Sequence, residues 1–101
     1  MDRKARGYLG MARRGGRCVC GVNAVRDAVR SGKTQLVMLA CGASDNTQKR
    51  VRDMCAFYHI HLRELRLAPQ ELGRMVGEAA AAVVAVTDKG LAAAIIESLA
   101  L

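Results

Sequence analysis

Arg17-Cys18-Val19-Cys20-Gly21-Val22-Asn23-Ala24-Val25-Arg26-Asp27-Ala28-Val29-Arg30-Ser31-Gly32-Lys33 is the stretch on which the fold turns. Its patterning predicts a short strand over 18–20, a turn at Gly21, a helix from Val22 to Ser31, and a stop at Gly32. Val22, Val25 and Val29 mark one apolar stripe with Ala28 beside it, while Asn23, Arg26, Asp27 and Arg30 face away. The first backbone N–H groups of such a helix lack intrahelical partners and attract anions. Arg17, Arg26, Arg30 and Lys33 put positive charge before, along and after it. Asn23 adds one acceptor and two donors at the same place, so it can read a base edge while the amides beside it hold phosphate. A simple helix cap is the other use for an asparagine there.

Upstream, Ala5, Tyr8, Leu9 and Ala12 recur at helical spacing over 2–14, with Arg3, Lys4, Arg6, Arg13 and Arg14 on the other faces. Gly7 and Gly10 weaken that helix and leave room for another element to come close; Gly15-Gly16 ends it. Downstream, Leu36 to Ala40 is a continuous apolar run, as for a strand buried on both faces. Ser44 or Asp45 caps a third helix with a core face of Val51, Met54, Cys55 and Tyr58. A weaker strand follows over 59–65, with Ile60, Leu62 and Glu64 alternating with His59, His61 and Arg63. Pro69 opens a short helix through Val76, with Glu71 in its first turn, and Gly77 closes it. A second buried strand begins near Ala81 and ends at Val86. Thr87 caps the last helix, whose stripe is Leu91, Ala94, Ile95 and Leu99. Strands thus alternate with helices, the pattern of an α/β fold with helices on both sheet faces.

The chain has 101 residues, one domain with enough length for a hydrophobic core. Its charge is lopsided. Residues 1–33 hold nine Lys/Arg and two Asp/Glu, and the remainder holds seven of each, so the net +7 comes from the first third. A one-sided basic domain is the electrostatic footprint of a nucleic-acid binder. The apolar run from Ala79 to Val86 is far short of the ~20 residues of a membrane span, and no leader peptide is legible, so the cytoplasm is the expected compartment.

The four cysteines form no Cys-x-x-Cys pair, and His59 and His61 lack zinc-finger spacing, so neither a metal nor a disulfide is expected and the thiols read as buried apolar groups; no cofactor is expected either. No phosphate loop or dinucleotide fingerprint occurs. His59 and His61 read as outward strand positions, and Asp45 and Asp53 as surface charge beside Lys49 and Arg52. Neither catalysis nor a small-molecule substrate is expected. With 3% aromatic residues there is little for stacked single strands, which favours shape recognition of a bent, structured RNA.

Across 8–96 the chain resembles the kink-turn RNA-binding ribosomal protein family, and within it a bacterial branch. The resemblance is carried by Leu9-Gly10-Met11-Ala12-Arg13-Arg14-Gly15-Gly16, Gly21-Val22-Asn23, Ala28-Val29-Arg30-Ser31-Gly32-Lys33, Leu36 to Ala40, Cys55 to Ile60, Glu71 to Gly77 and Ala85 to Leu91. It implies a three-layer α/β/α sandwich around a small four-stranded mixed sheet, a non-catalytic RNA binder, and a structured, ribosomal or other kink-turn RNA as partner; a monomer is expected. In that family a Gly-x-Asn-Glu turn enters the major groove at sheared G·A pairs, which puts Gly21, Val22 and Asn23 at the reading edge. A second loop packs near a flipped-out nucleotide, and Gly77, Glu78, Ala79 and Ala80 occupy its place. Arg17, Arg26 and Lys33 complete the expected RNA-binding set. Two positions depart from the pattern: Ala24 stands where the Glu would be, and Asp27 where a basic residue would be. They motivate the alternative of a protein–protein adaptor that has kept the fold without specific RNA contacts.

Overall fold

The computed structural model describes residues 3–99. In chain order the elements are α1 (Arg3–Arg14), β1 (Cys18–Cys20), α2 (Val22–Arg30), β2 (Leu36–Ala40), α3 (Asp45–Tyr58), β3 (Leu62–Leu65), α4 (Pro69–Met75), β4 (Val83–Val86) and α5 (Lys89–Leu99). Asp2, at the expected start of the first helix, lies outside the described residues. The strands form one mixed sheet in the order β1-β4-β2-β3, antiparallel at β1–β4 and β4–β2 and parallel at β2–β3.

Strand alternation divides the core into two halves. Leu36, Met38, Ala40, Val84 and Val86 point to the face covered by α1, α4 and α5, where they meet Leu9, Leu72, Val76 and Ile95. Val37, Leu39, Val83 and Ala85 point to the face covered by α2 and α3, where they meet Val25, Val29, Val51 and Cys55. Every residue of β2 and β4 is buried, which is why both read as unbroken apolar runs. The expected α/β/α sandwich with a four-stranded mixed sheet is the observed architecture.

Several local expectations change. β3 starts at Leu62, because His59 takes the left-handed conformation (φ 55°) that ends α3, and His61 precedes the strand. Both histidines are exposed, but neither is a strand residue. Glu64 points toward the α3 face yet stays out of the core, accepting a 2.9 Å hydrogen bond from Arg52 Nε. Tyr58, assigned to the core stripe of α3, is 38% exposed; Val51 and Cys55 are the buried pair. β4 begins at Val83, two residues later than expected. The cap of α5 is Asp88 in place of Thr87, its Oδ2 accepting from the Leu91 N–H at 2.8 Å. Ala92 and Ile95 carry that helix's buried side, with Leu91, Ala94 and Leu99 half-buried. A Cβ added at Gly7 would meet nothing within 4 Å, and one at Gly10 only the Arg14 side chain, so no element comes close at either. The close approach lies at Gly73, where an added Cβ would stand 2.7 Å from Ala80 Cα.

All four thiols are free, but only Cys18 and Cys55 are buried; Cys41 is exposed, against the buried reading, because it follows the end of β2. Burial pushes Cys55 up to about 11. Burial first, then the neighbouring Cys18 and Glu78, push Cys20 up to about 11 as well. Only the thiolate is an effective nucleophile. Iodoacetamide at pH 8, followed by peptide mass spectrometry, is therefore expected to modify Cys41 while sparing Cys20 and Cys55. Because folding raises these thiol pKa values, their contribution to stability is complete below the unfolded thiol value and is lost as pH climbs towards 11.

Candidate nucleic-acid interface

Gly21 makes the start of α2 possible. Its backbone sits at φ 92°, ψ 154°, a region that L side chains rarely adopt, and its N–H donates to the Val83 carbonyl at 2.9 Å. That bond ties the turn to the head of β4. No side chain caps the helix: the cap position is Gly21, so Asn23 is not the cap and lies exposed in the first turn. Among the described residues, its side chain engages in no hydrogen bond. Local sequence explains this start, since Gly21 has no side chain to fold back onto the free N–H groups.

The second expected segment leaves the sheet at the same end. Cys20 pairs with Val84 across β1 and β4, so the turn after β1 and the residues before β4 are neighbours. Gly77 turns the chain at φ 74°. The Glu78 N–H donates to Gly73 O at 2.9 Å and the Ala81 N–H to Pro69 O at 2.8 Å, which moors the segment to α4. Glu78 also faces Arg13 at 3.4 Å, bringing the end of α1 to this region. Ala79 and Ala80 are exposed, offering small apolar contacts.

Arg26 follows one helical turn after Val22, with its Nε 3.4 Å from Asp27 Oδ1. This exposed pair is weak, roughly 0–1 kcal/mol, so Arg26 stays available to an incoming phosphate. Arg17 and Lys33 do not join Asn23. Arg17 precedes β1 at the other end of the β1–β4 ladder, 3.4 Å from Asp88. Lys33 follows the far end of α2, its N–H bonded to Ala28 O at 3.0 Å around Gly32. A nine-residue helix is ~13 Å long, so Lys33 lies about that far from Asn23, while the length of β1 stands between Arg17 and the Gly21 turn.

The sequence reading also passed over a groove between α2 and α3. It has a volume of about 530 Å³, and Arg26 and Arg30 line one wall while Arg50, Met54, Phe57 and Tyr58 line the other. Phe57 lies off the buried stripe of α3 at i+3 from Met54 and i+7 from Arg50, a spacing that was legible in the sequence. Among the described residues no three His, Cys, Asp or Glu side chains gather as a metal site, and no helix is long and apolar enough to cross a membrane.

The fold defines the class: a small α/β/α sandwich with a basic flank and an uncapped helix start at one end of its sheet. The chain belongs to the ribosomal protein L7Ae/L30e/S12e/Gadd45 family, which matches residues 3–96. It is similar to the RNA-binding protein YlxQ of Bacillus subtilis (strain 168), 39% identical over 84 residues that span 83% of each chain. The RNA-binding protein YlxQ of Enterococcus faecium is 32% identical over 89 residues, 88% of this chain and 84% of that one. Among solved structures, a protein with unknown function from Bacillus halodurans C superimposes with a TM-score of 0.91 at 29% identity, covering 99% of this chain and 100% of that one. The bacterial branch suggested by the sequence is thus the one to which these relatives point.

Proposed function

We propose that this protein is a non-catalytic RNA-binding protein that recognises a structured, kink-turn-like RNA. The observation that carries the reading is the uncapped start of α2, with Asn23 exposed beside the moored Gly77–Ala80 segment. Val22, Asn23 and Ala24 begin the helix and direct their N–H groups to solvent, where a backbone phosphate neutralises the helix end. Asn23 then meets a base edge, and Ala79 and Ala80 lie against an unstacked nucleotide. Arg26 sits one turn along, Lys33 about 13 Å away past the far end of α2, and Arg17 before β1, so an RNA lying along this flank meets all three cations. Phosphate contacts fix the position and the asparagine supplies selectivity. The names of the two relatives agree with RNA as the partner. We place the protein in the cytoplasm, acting as a single copy with ribosomal or other folded RNA.

The test is a titration into a labelled kink-turn RNA over a range of salt concentrations. Its control has Watson–Crick pairs in place of the sheared G·A pairs. Three phosphate contacts give a slope of log K against log[salt] of about −2 to −3. Tight, salt-dependent binding that the control loses is the expected result. Equal, weak binding to both RNAs sinks the reading. A shallow slope favours instead the adaptor role suggested by Ala24 and Asp27.

A further inference from the structure

Phe57 is 77% exposed in a chain with three aromatic residues, and Tyr58 beside it is 38% exposed. Their rings meet edge to face, with centroids 4.9 Å apart and planes at 73°. Neither belongs to the buried core. Both open onto the groove between α2 and α3, where Arg26, Arg30 and Arg50 face a single acid, Asp53, which is already bound to Lys49 at 2.7 Å. The free charge of the groove is therefore positive. Val22, the first residue of α2, lines its upper end, so the groove runs on from the proposed RNA-reading turn.

We propose that this groove takes an unpaired segment of the bound RNA, with a base stacked on Phe57 and the flanking phosphates held by Arg30 and Arg50. The inference rests on the RNA-binding reading above and extends it from the bent duplex to a flanking single strand. Exposed aromatics interleaved with cations are the composition of a single-strand platform: the ring stacks any base, and the cations follow the backbone. Cations on both walls favour a phosphate-bearing chain over a protein of average surface charge. The low aromatic content read from the sequence argued against stacking, but two of the three rings lie side by side on this exposed surface.

The experiment compares a blunt-ended kink-turn RNA with the same RNA carrying an unpaired uridine extension of about six nucleotides. The extension contains 4-thiouridine for photocrosslinking, and both polarities are made. The readout is the ratio of the two affinities, measured for the full chain, Phe57→Ala, Phe57→Trp and the double variant Arg30→Ala/Arg50→Ala. For one stacked base the extension is expected to tighten binding about tenfold with one polarity. That gain should vanish in Phe57→Ala, return in Phe57→Trp and fall in the double variant, with crosslinks mapping to Phe57 or Tyr58.

A ratio near one for both polarities, a gain that survives Phe57→Ala, or crosslinks elsewhere overturns the inference. If sedimentation shows a dimer that Phe57→Ala dissolves, the groove belongs to a second copy of the chain and the inference is likewise overturned. Should the blunt RNA fail to bind while a free thiouridine oligonucleotide crosslinks at Phe57, the reading of the α2 start fails and the groove stands. With no crosslink from either probe, the groove fails too.

Discussion

Asn23→Ala is expected to weaken binding to a bent, G·A-paired RNA by about 1–3 kcal/mol, roughly 5–150-fold, while leaving a straight duplex nearly unaffected. The side chain is exposed and, among the described residues, makes no hydrogen bond, so its removal disturbs nothing inside the fold. Alanine is also the better helix former, by up to about 0.7 kcal/mol. Thermal unfolding should therefore be unchanged or slightly improved, which separates a lost contact from a damaged protein. Arg26→Ala is the companion measurement. In the proposed mode its guanidinium meets a phosphate and no base, so both RNAs should lose affinity about equally, with a shallower salt slope. If Asn23→Ala weakens neither RNA, the Gly21–Asn23 turn is not the reading edge.

Gly73→Ala is expected to destabilise the fold by about 1–3 kcal/mol, a fall in Tm on the order of 10 °C for a domain of this size. The added Cβ would lie 2.7, 2.8 and 2.9 Å from Ala80 Cα, N and C, all backbone atoms that no side-chain rotation can clear. The helix propensity gained by alanine, about 1 kcal/mol, offsets only part of this. The segment that must give way is Gly77–Ala80, which Gly73 also holds through its carbonyl and the Glu78 N–H. RNA affinity should fall along with stability. Gly7→Ala is the matched control, since its Cβ meets nothing within 4 Å on the exposed side of α1. It should raise Tm, the opposite sign from the same chemical change.

These two glycines show where sequence reading reached its limit. A glycine in a helix announces either a close approach or a mere weakness, and the letter is the same for both. Gly7 and Gly10 interrupt a well-formed amphipathic helix, which makes a close approach the natural expectation there. Gly73 lies inside a short helix that needs no comment, and its constraint comes from Ala80 arriving across the loop. The histidines tell the same story. Alternation carried the expected strand back to His59, but His59 was needed in the left-handed region to end α3 and aim the chain into β3. Thr87 and Asp88 are both competent caps, and only the structure shows that the helix starts at Lys89 with the Asp88 carboxylate accepting from the Leu91 N–H.

By itself the sequence determined the element order, the buried strands, the two helical layers and the basic first third. All of these follow from periodicity, composition and turn chemistry, which act over a few residues. It also determined that Gly21 turns the chain into a helix that starts at Val22, while the structure decided that no side chain caps that start. Tertiary structure alone decided which separated segments meet. The antiparallel β1–β4 pairing brings the Gly21 turn beside the Gly77–Ala80 segment. The lengths of β1 and α2 remove Arg17 and Lys33, respectively, from Asn23, although all lie within one short stretch of chain. The packing of α2 against α3 gathers Phe57, Tyr58 and three arginines into one groove. Those juxtapositions depend on strand order and on the angle at which helices cross the sheet, long-range quantities that no local pattern encodes.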